Sequence, residues 1–476
     1  MEVRLANAPA ESTAADTIVV GAFIGDGVSS EPLQALLDSG EARLKLGSLA
    51  LTHVNGRRLL LAGLGAREEF DGEAARAAAA GAAKRARELG ARALCWEAPA
   101  GSDARIAAAL VEGTILASYR FDRYRTSDVD EADGGLESLT ICAADDYGAA
   151  LARAQVIADA VNSARLLQDT PANDMTPTAL ADRARAIASE HDSLTVRVDG
   201  RKELVERGMG AFAAVAQGTA QEPALITLRY KGPEASGPVL GFVGKAVTFD
   251  SGGISLKPGT GMEEMKFDMS GGAAVIEAVG AIAELGLPVE IVAVVGATEN
   301  LPSARAVKPG DIVRTMSGKT VEINNTDAEG RLVVADCLAH AIGEGAERLI
   351  DLATLTGAII VALGSTYAGL MSNDDDWAAA VEVAGDATGE LVWRMPLHPE
   401  YKKLVKGSYA DLNNAPERGK AGSITAAEFL AAFAGDIPWA HIDIAGTAWN
   451  LGRTYAEKGG SGFGVRLLVE LASASR

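Results

Sequence analysis

The sequence predicts an α/β protein in two parts: a smaller α/β unit, then a larger one whose mixed, mostly parallel sheet is covered by helices on both faces. Three observations predict it. Short apolar runs alternate with helical patterns along most of the chain. Several runs are continuously apolar, as expected of strands buried on both faces. A turn-rich stretch, 168–177 (QDTPANDMTP), interrupts the alternation.

Taken in order, LLLAGL at 59–64 predicts a buried strand, and the Ala-rich stretch that follows predicts a helix over 72–89, stopped at Gly90. A strand near 93–96, a helix near 103–119, a strand near 138–142 and a helix near 147–168 complete the first unit. The boundary is placed at residue 165, within ten residues or so of the turn-rich stretch. The second unit restarts with a helix over 177–190 and a strand over 194–198. ALITLRY (224–230) and the apolar run over 238–244 read as buried strands. A helix over 271–285, a strand over 288–296, a helix over 331–342 and a strand over 348–353 follow.

Composition narrows the function. The chain has 476 residues, room for two or three domains, and its 48% hydrophobic and 23% charged residues are ordinary for a globular enzyme. The formal charge of −20 argues against nucleic acid as a partner, because phosphate backbones are repelled. Cys95, Cys142 and Cys337 are widely spaced, which predicts buried reduced thiols and neither a disulfide framework nor a thiolate metal site. The N-terminus lacks a basic start followed by an apolar run. The longest apolar stretch, Leu352 to Leu363, is too short to span a bilayer. A cytoplasmic protein with no membrane partner is expected.

The usual catalytic signatures fail one by one. His53, His191, His340, His398 and His441 form no H-E-x-x-H pair. No G-x-S-x-G elbow occurs, and GTGMEEMKFDMSGG (259–272) has no G-K-[ST] ending of a phosphate loop. What remains is a set of carboxylates and lysines in glycine-rich surroundings. Lys245, Asp250, Lys257 and Asp268 lie in GKAVTFDSGGISLKPGTGMEEMKFDMSGG. Asp250 follows an apolar run and precedes two glycines, which suits the carboxyl end of a strand. Asp327 and Glu329 stand two apart in NTDAEGRL. An oxygen-rich set of this kind suits divalent ions, and a pair of them about 3.5 Å apart is the arrangement of two-metal hydrolases. The structural alternative is that Asp268 enters a helix and that Asn325, Thr326 and Asp327 cap another. From these residues alone both readings stand.

NTDAEGRL (325–332), GKAVTFDSGG followed by SLKP, DMSGGAA (268–274), DLATLTGA (351–358), AGSITAAEFL (421–430) and WAHIDIAGTAW (439–449) resemble the motifs of the leucyl aminopeptidase (cytosol aminopeptidase) family. The resemblance covers most of 240–450. It implies a catalytic domain over 166–476 and a smaller N-terminal α/β, macro-like domain over 1–165 serving assembly. It further implies two divalent cations, Mn²⁺ or Zn²⁺. One is held by Lys245, Asp250, Asp268 and Glu329, the other by Asp250, Asp327 and Glu329 with the Asp327 carbonyl. Two nearby cations would depress the pKa of Lys245, which can ligate only as the neutral amine. The resemblance assigns Lys257 to the oxyanion and Arg331 to a bicarbonate that serves as general base. Thr354, Leu355 and Gly357 become substrate contacts, and Met265 a wall of the pocket for the first side chain. Leucine and other apolar N-terminal residues would be preferred on peptide substrates, by a homohexamer. Two positions depart from the family pattern: Ala246 and Ser270 stand where glycine is frequent. A non-enzymatic binder and a nucleotide-binding α/β protein are the competing readings.

Overall fold

The computed structural model describes residues 1–126, 135–416 and 420–475. The chain forms two units, one of Met1–Asn162 with Gly452–Glu457, the other of Ser163–Leu451 with Lys458–Arg476.

In the first unit, strands β1 (Glu2–Ala6), β2 (Thr17–Ala22), β3 (Leu49–Val54), β4 (Arg57–Gly63), β5 (Ala93–Glu97) and β6 (Ser138–Cys142) form one sheet in the order β1-β6-β5-β2-β4-β3. All neighbours run parallel except β3 and β4. That hairpin turns on Asn55 and Gly56, both at positive φ (50° and 79°), the conformation an Asn-Gly turn favours. The helices Gly72–Glu88 and Ala104–Ala117 pack so closely that a Cβ on Gly113 would lie 2.2 Å from Arg76 O. Alanine and glycine fill that interface because nothing larger fits. Asp71 and Asp103 cap the two helices by accepting backbone N–H groups of their first turns. The three cysteines are free and buried.

In the second unit, β7 (Leu194–Asp199), β8 (Ala224–Lys231), β9 (Leu240–Asp250) and β10 (Glu290–Asn300) come first in sequence. A small sheet is built from β11 (Ile312–Arg314), β12 (Thr320–Glu322) and, later in the chain, Leu412–Asn413. Strands β13 (Arg348–Ala353), β14 (Ala368–Ser372) and β15 (Val392–Arg394) follow, then β16, the Leu412–Asn413 strand, and β17 (Trp439–Asp443). The large sheet runs β15-β14-β17-β13-β9-β10-β8-β7. Its centre, β17-β13-β9-β10, is parallel, and antiparallel neighbours flank it on both sides. Helices cover both faces. Gly244 on β9 meets Gly271 and Gly272 of the helix Ser270–Glu284, whereas Gly296, the register partner of Lys245, meets Val333 and Cys337 of the helix Gly330–Gly343.

Both departures from the family pattern are accommodated. A Cβ on Gly272 would fall 2.7 Å from that of Ala246, so the alanine fits because its neighbour is glycine. The Ser270 hydroxyl is buried but donates to Phe267 O at 2.6 Å. The apolar stretch 352–363 divides into the end of β13, a turn, and the helix Gly357–Leu363, whose Val361 is 90% exposed. Among the described residues no helix is long and apolar enough to cross a membrane.

A Cβ on Gly244 would sit 2.6 Å from Gly272 Cα and 2.8 Å from Gly271 O, both backbone atoms that cannot give way. Gly244→Val is therefore expected to cost about 3 kcal/mol or more, read as a lowered urea midpoint at unchanged slope.

Candidate metal centre

The parallel strands deliver their last residues to one place, the carboxyl edge of the sheet, where open α/β sheets bind ligands. Asp250 ends β9 and Asn300 ends β10. A bulge between Thr298 and Glu299 shifts the register so that Asn300 pairs with Asp250. Asn300 Nδ2 then donates to Asp250 Oδ1 at 2.8 Å and to Thr326 O at 3.0 Å, tying the strand end to the NTDAEGRL turn.

After Asp250 the chain turns sharply through Gly252 (φ 87°) and Gly253 (φ 67°). A Cβ on Gly252 would lie 2.6 Å from Ser255 O and 2.8 Å from Asp327 Oδ1, so a side chain there would fill the cradle. The Ser251 hydroxyl donates to Asn300 O at 2.7 Å, a structural use rather than a nucleophile's. Lys257 N donates to Ser251 O at 2.9 Å and closes the loop. Its Nζ thereby lies 2.7 Å from Asp250 Oδ2 and 2.5 Å from Asp327 Oδ1.

Lys245 points from β9 toward Gly330. A Cβ on that glycine would lie 2.5 Å from Lys245 Cε. Lys245 Nζ lies 2.7 Å from Asp268 Oδ2 and 2.8 Å from Glu329 Oε1, and donates to Thr354 O at 3.0 Å. Thr354 Oγ1 donates to Asp268 Oδ1 at 2.8 Å. The turn itself is braced from two sides. Thr326 Oγ1 donates to Gly252 O at 2.6 Å, and Asn414 Oδ1 accepts Asn324 N and Asn325 N. Arg331 is buried and donates from Nη1 to Asn414 O at 2.7 Å.

The capping alternative fails on this geometry. The helix Ser270–Glu284 has Met269 at its N-cap, and the helix Gly330–Gly343 has Glu329, neither with a side-chain cap bond. Asp268 and Glu329 instead meet at Lys245 Nζ, and Asp327 turns to Lys257 Nζ. Asp250, Asp327 and Glu329 each offer an oxygen within 4.8 Å of the others.

Burial raises the carboxyl groups of Asp268, Asp327 and Glu329, and the two lysines partly offset the rise. Burial pulls Lys245 and Lys257 the other way, but the surrounding carboxylates win and hold both ammonium groups above their ordinary value. The expected depression of Lys245 belongs to a cation-loaded cluster; with only carboxylates around it the shift is upward. Four carboxylates against two ammonium groups leave negative charge uncompensated. Glu329 Oε2 is buried and accepts no hydrogen bond, while Asp268 Oδ2 and Asp327 Oδ1 face only the lysine ammonium groups. Hard oxygen donors with spare lone pairs and one amine fit divalent cations. Burial lowers Arg331 to about 10, with Glu329 and Asp443 opposing, so it is cationic near neutrality; its Nε is buried without a partner.

The remaining candidates sit around this cluster. Leu355 is half-buried and donates its N–H to Asp443 Oδ1 at 3.1 Å. Gly357 opens the short helix after the turn and is exposed. Met265 is half-buried in the 3-10 turn Met262–Phe267, and its carbonyl accepts Asp268 N at 3.3 Å. Sequence reasoning missed Asn300, Asn414 and Asp443. No local pattern marks them, because each is defined by a partner on a distant segment.

Comparisons with known proteins agree with this geometry. Residues 162–469 match the model of the cytosol aminopeptidase family, catalytic domain, and residues 22–128 match that family's N-terminal domain. A probable cytosol aminopeptidase of Roseiflexus castenholzii is 45% identical over 472 residues, 96% of each chain. One from Alkaliphilus oremlandii is 40% identical over 505 residues, 100% of this chain and 99% of the relative. Among solved structures, the bottromycin maturation enzyme BotP in complex with Mn superposes with a TM-score of 0.89 at 34% identity, covering 97% of this chain and 99% of that one. A mutant tomato leucine aminopeptidase gives 0.89 at 34%, covering 99% and 96%.

Asn300→Ala removes the bridge from Asp250 to the NTDAEGRL turn. It is expected to weaken divalent-cation binding roughly 10–100-fold, measured by calorimetric titration with Mn²⁺.

Proposed function

Because the chain belongs to the cytosol aminopeptidase family, and is thus a metal-dependent aminopeptidase and a hydrolase, we propose a division of labour among its site residues. Lys245, Asp250, Asp268, Asp327 and Glu329 hold two divalent cations, Mn²⁺ or Zn²⁺, within a catalytic domain of residues 166–476. The observation that carries this reading is the convergence of the five side chains at one buried strand edge, with Glu329 Oε2 left without a donor. When bound, the two cations would acidify a water and polarise the scissile carbonyl, and bicarbonate would supply a general base.

The chain's own groups do the rest. Lys245 Nζ carries a proton that balances Asp268 and Glu329; it must release that proton to ligate as an amine. Lys257 stays protonated beside Asp250 and Asp327 and donates to the oxygen on which charge develops in the transition state. Arg331 holds the bicarbonate, for which a planar guanidinium fork with a spare Nε is suited. Thr354, Leu355 and Gly357 contact the peptide backbone. Met265 forms an adaptable wall for leucine and other apolar first side chains. The enzyme works on peptides in the cytoplasm as a homohexamer, with the N-terminal domain (1–165) serving assembly.

Hydrolysis of leucine amide should vanish with a chelator and return with Mn²⁺ or Zn²⁺, with two ions per chain by elemental analysis. Glu329→Gln should hold fewer ions and lose nearly all activity; full activity in that variant sinks the reading. Lys257→Met should keep both ions while kcat falls about 10²–10³-fold, measured under saturating substrate.

A further inference from the structure

Strand β17 carries a buried polar column that the chemistry above does not use. Trp439, His441 and Asp443 alternate along one face of the strand, and all are without exposure. Asp351, the register partner of His441 on β13, accepts Trp439 Nε1 at 2.7 Å and lies 2.6 Å from His441 Nδ1. His441 Nε2 is buried without a partner. Asp443, at the strand's end, gathers the turn that follows β13. Its Oδ1 accepts Leu355 N at 3.1 Å, Thr356 N at 3.3 Å and Ala445 N at 3.3 Å, and its Oδ2 accepts Thr356 Oγ1 at 2.6 Å. Thr356 Oγ1 also meets Ser423 Oγ at 2.7 Å and caps the helix Gly357–Leu363 through Ile359 N.

Two consecutive N–H groups aimed at one carboxylate fix two consecutive peptide planes. In a trans peptide the carbonyl points opposite to the N–H. Thr354 C=O, opposite Leu355 N–H, is received by Lys245 Nζ at 3.0 Å, so that plane is held from both sides. Leu355 C=O, opposite Thr356 N–H, is likewise turned away from Asp443. We propose that Asp443 is a positioning residue: it sets the 354–357 turn as a rail for the substrate backbone, and the Asp351–His441 pair holds the strand end from which it acts. Burial pulls the His441 imidazole down, but Asp351 and Asp443 outweigh it and hold it above its ordinary value; burial raises the Asp443 carboxyl, with His441 and the donors of the turn opposing. Neither Asp443 nor His441 touches a proposed cation ligand.

This inference rests on the proposal that Thr354, Leu355 and Gly357 contact substrate, so the test has one arm that needs no activity. Full-length Asp443→Asn and Thr356→Val are compared with wild type for KM and kcat on leucine amide, for bound Mn²⁺, and for hydrogen exchange across 354–357. Expected are a KM raised about tenfold with kcat within threefold, unchanged Mn²⁺ content, and exchange of the Leu355 and Thr356 amides at least tenfold faster in Asp443→Asn. His441→Gln, which keeps a hydrogen-bonding partner for Asp351, should move both readouts the same way by less; no change in that variant removes His441 from the unit. Undiminished exchange protection in Asp443→Asn overturns the clamp. Lost protection with an unmoved KM overturns the rail. Absence of any wild-type hydrolysis with Mn²⁺ defeats the aminopeptidase reading instead, and the exchange arm still decides the clamp.

Discussion

Carboxylates that converge in a buried space repel one another, and most of what surrounds Asp250, Asp268, Asp327 and Glu329 answers that repulsion. Two lysines stand between them, Lys245 on one side and Lys257 on the other. Neither lysine is itself well solvated, so each is held charged only because the carboxylates are there. The cluster is therefore self-consistent but under-neutralised. Its instability is local, and the fold must supply it elsewhere through the packed helices on the two faces of the sheet.

The way the site is assembled follows from that need. A buried charge costs least where every remaining lone pair and proton has a fixed partner. Asn300, Thr326, Ser255 and Asn414 provide such partners to the backbone and to Asp250, so the acidic groups cannot relax apart. Glycines at 252 and 330 let two backbones approach the cluster where any side chain would enter it. The rigid strands β9, β10 and β13 then locate the parts that loops alone would leave loose.

Much of this was legible in the sequence. The alternation of apolar runs and helical patterns gave the layered α/β architecture, and the strands at 224–230 and 348–353 fall where Ala224–Lys231 and Arg348–Ala353 form. The strand predicted over 238–244 runs on to Asp250, since a polar Lys245 and Thr248 disguise its second half. The β3–β4 hairpin went unread although Asn55-Gly56 carries its turn signal. The apolar stretch 352–363 is broken by Thr354 and Thr356, and the turn falls there. The lysines and acids of the site were conspicuous as charges among glycines. Asn300, Asn414 and Asp443 were not, because a hydrogen-bonding side chain acquires its role only from a segment far away in the chain.

The contact between β9 and the helix Ser270–Glu284 has an evolutionary side. A Cβ on Gly272 would fall 2.7 Å from both Ala246 Cβ and Val295 Cγ1, so the methyl group has room on the strand but not on the helix. The cost of a methyl at 246 thus depends on glycine standing at 272. Mutational paths through this interface are ordered: the glycine must come first on one side before the alanine can arrive on the other. Libraries that randomise the two sites independently would discard most of their members to that coupling before any selection for catalysis began.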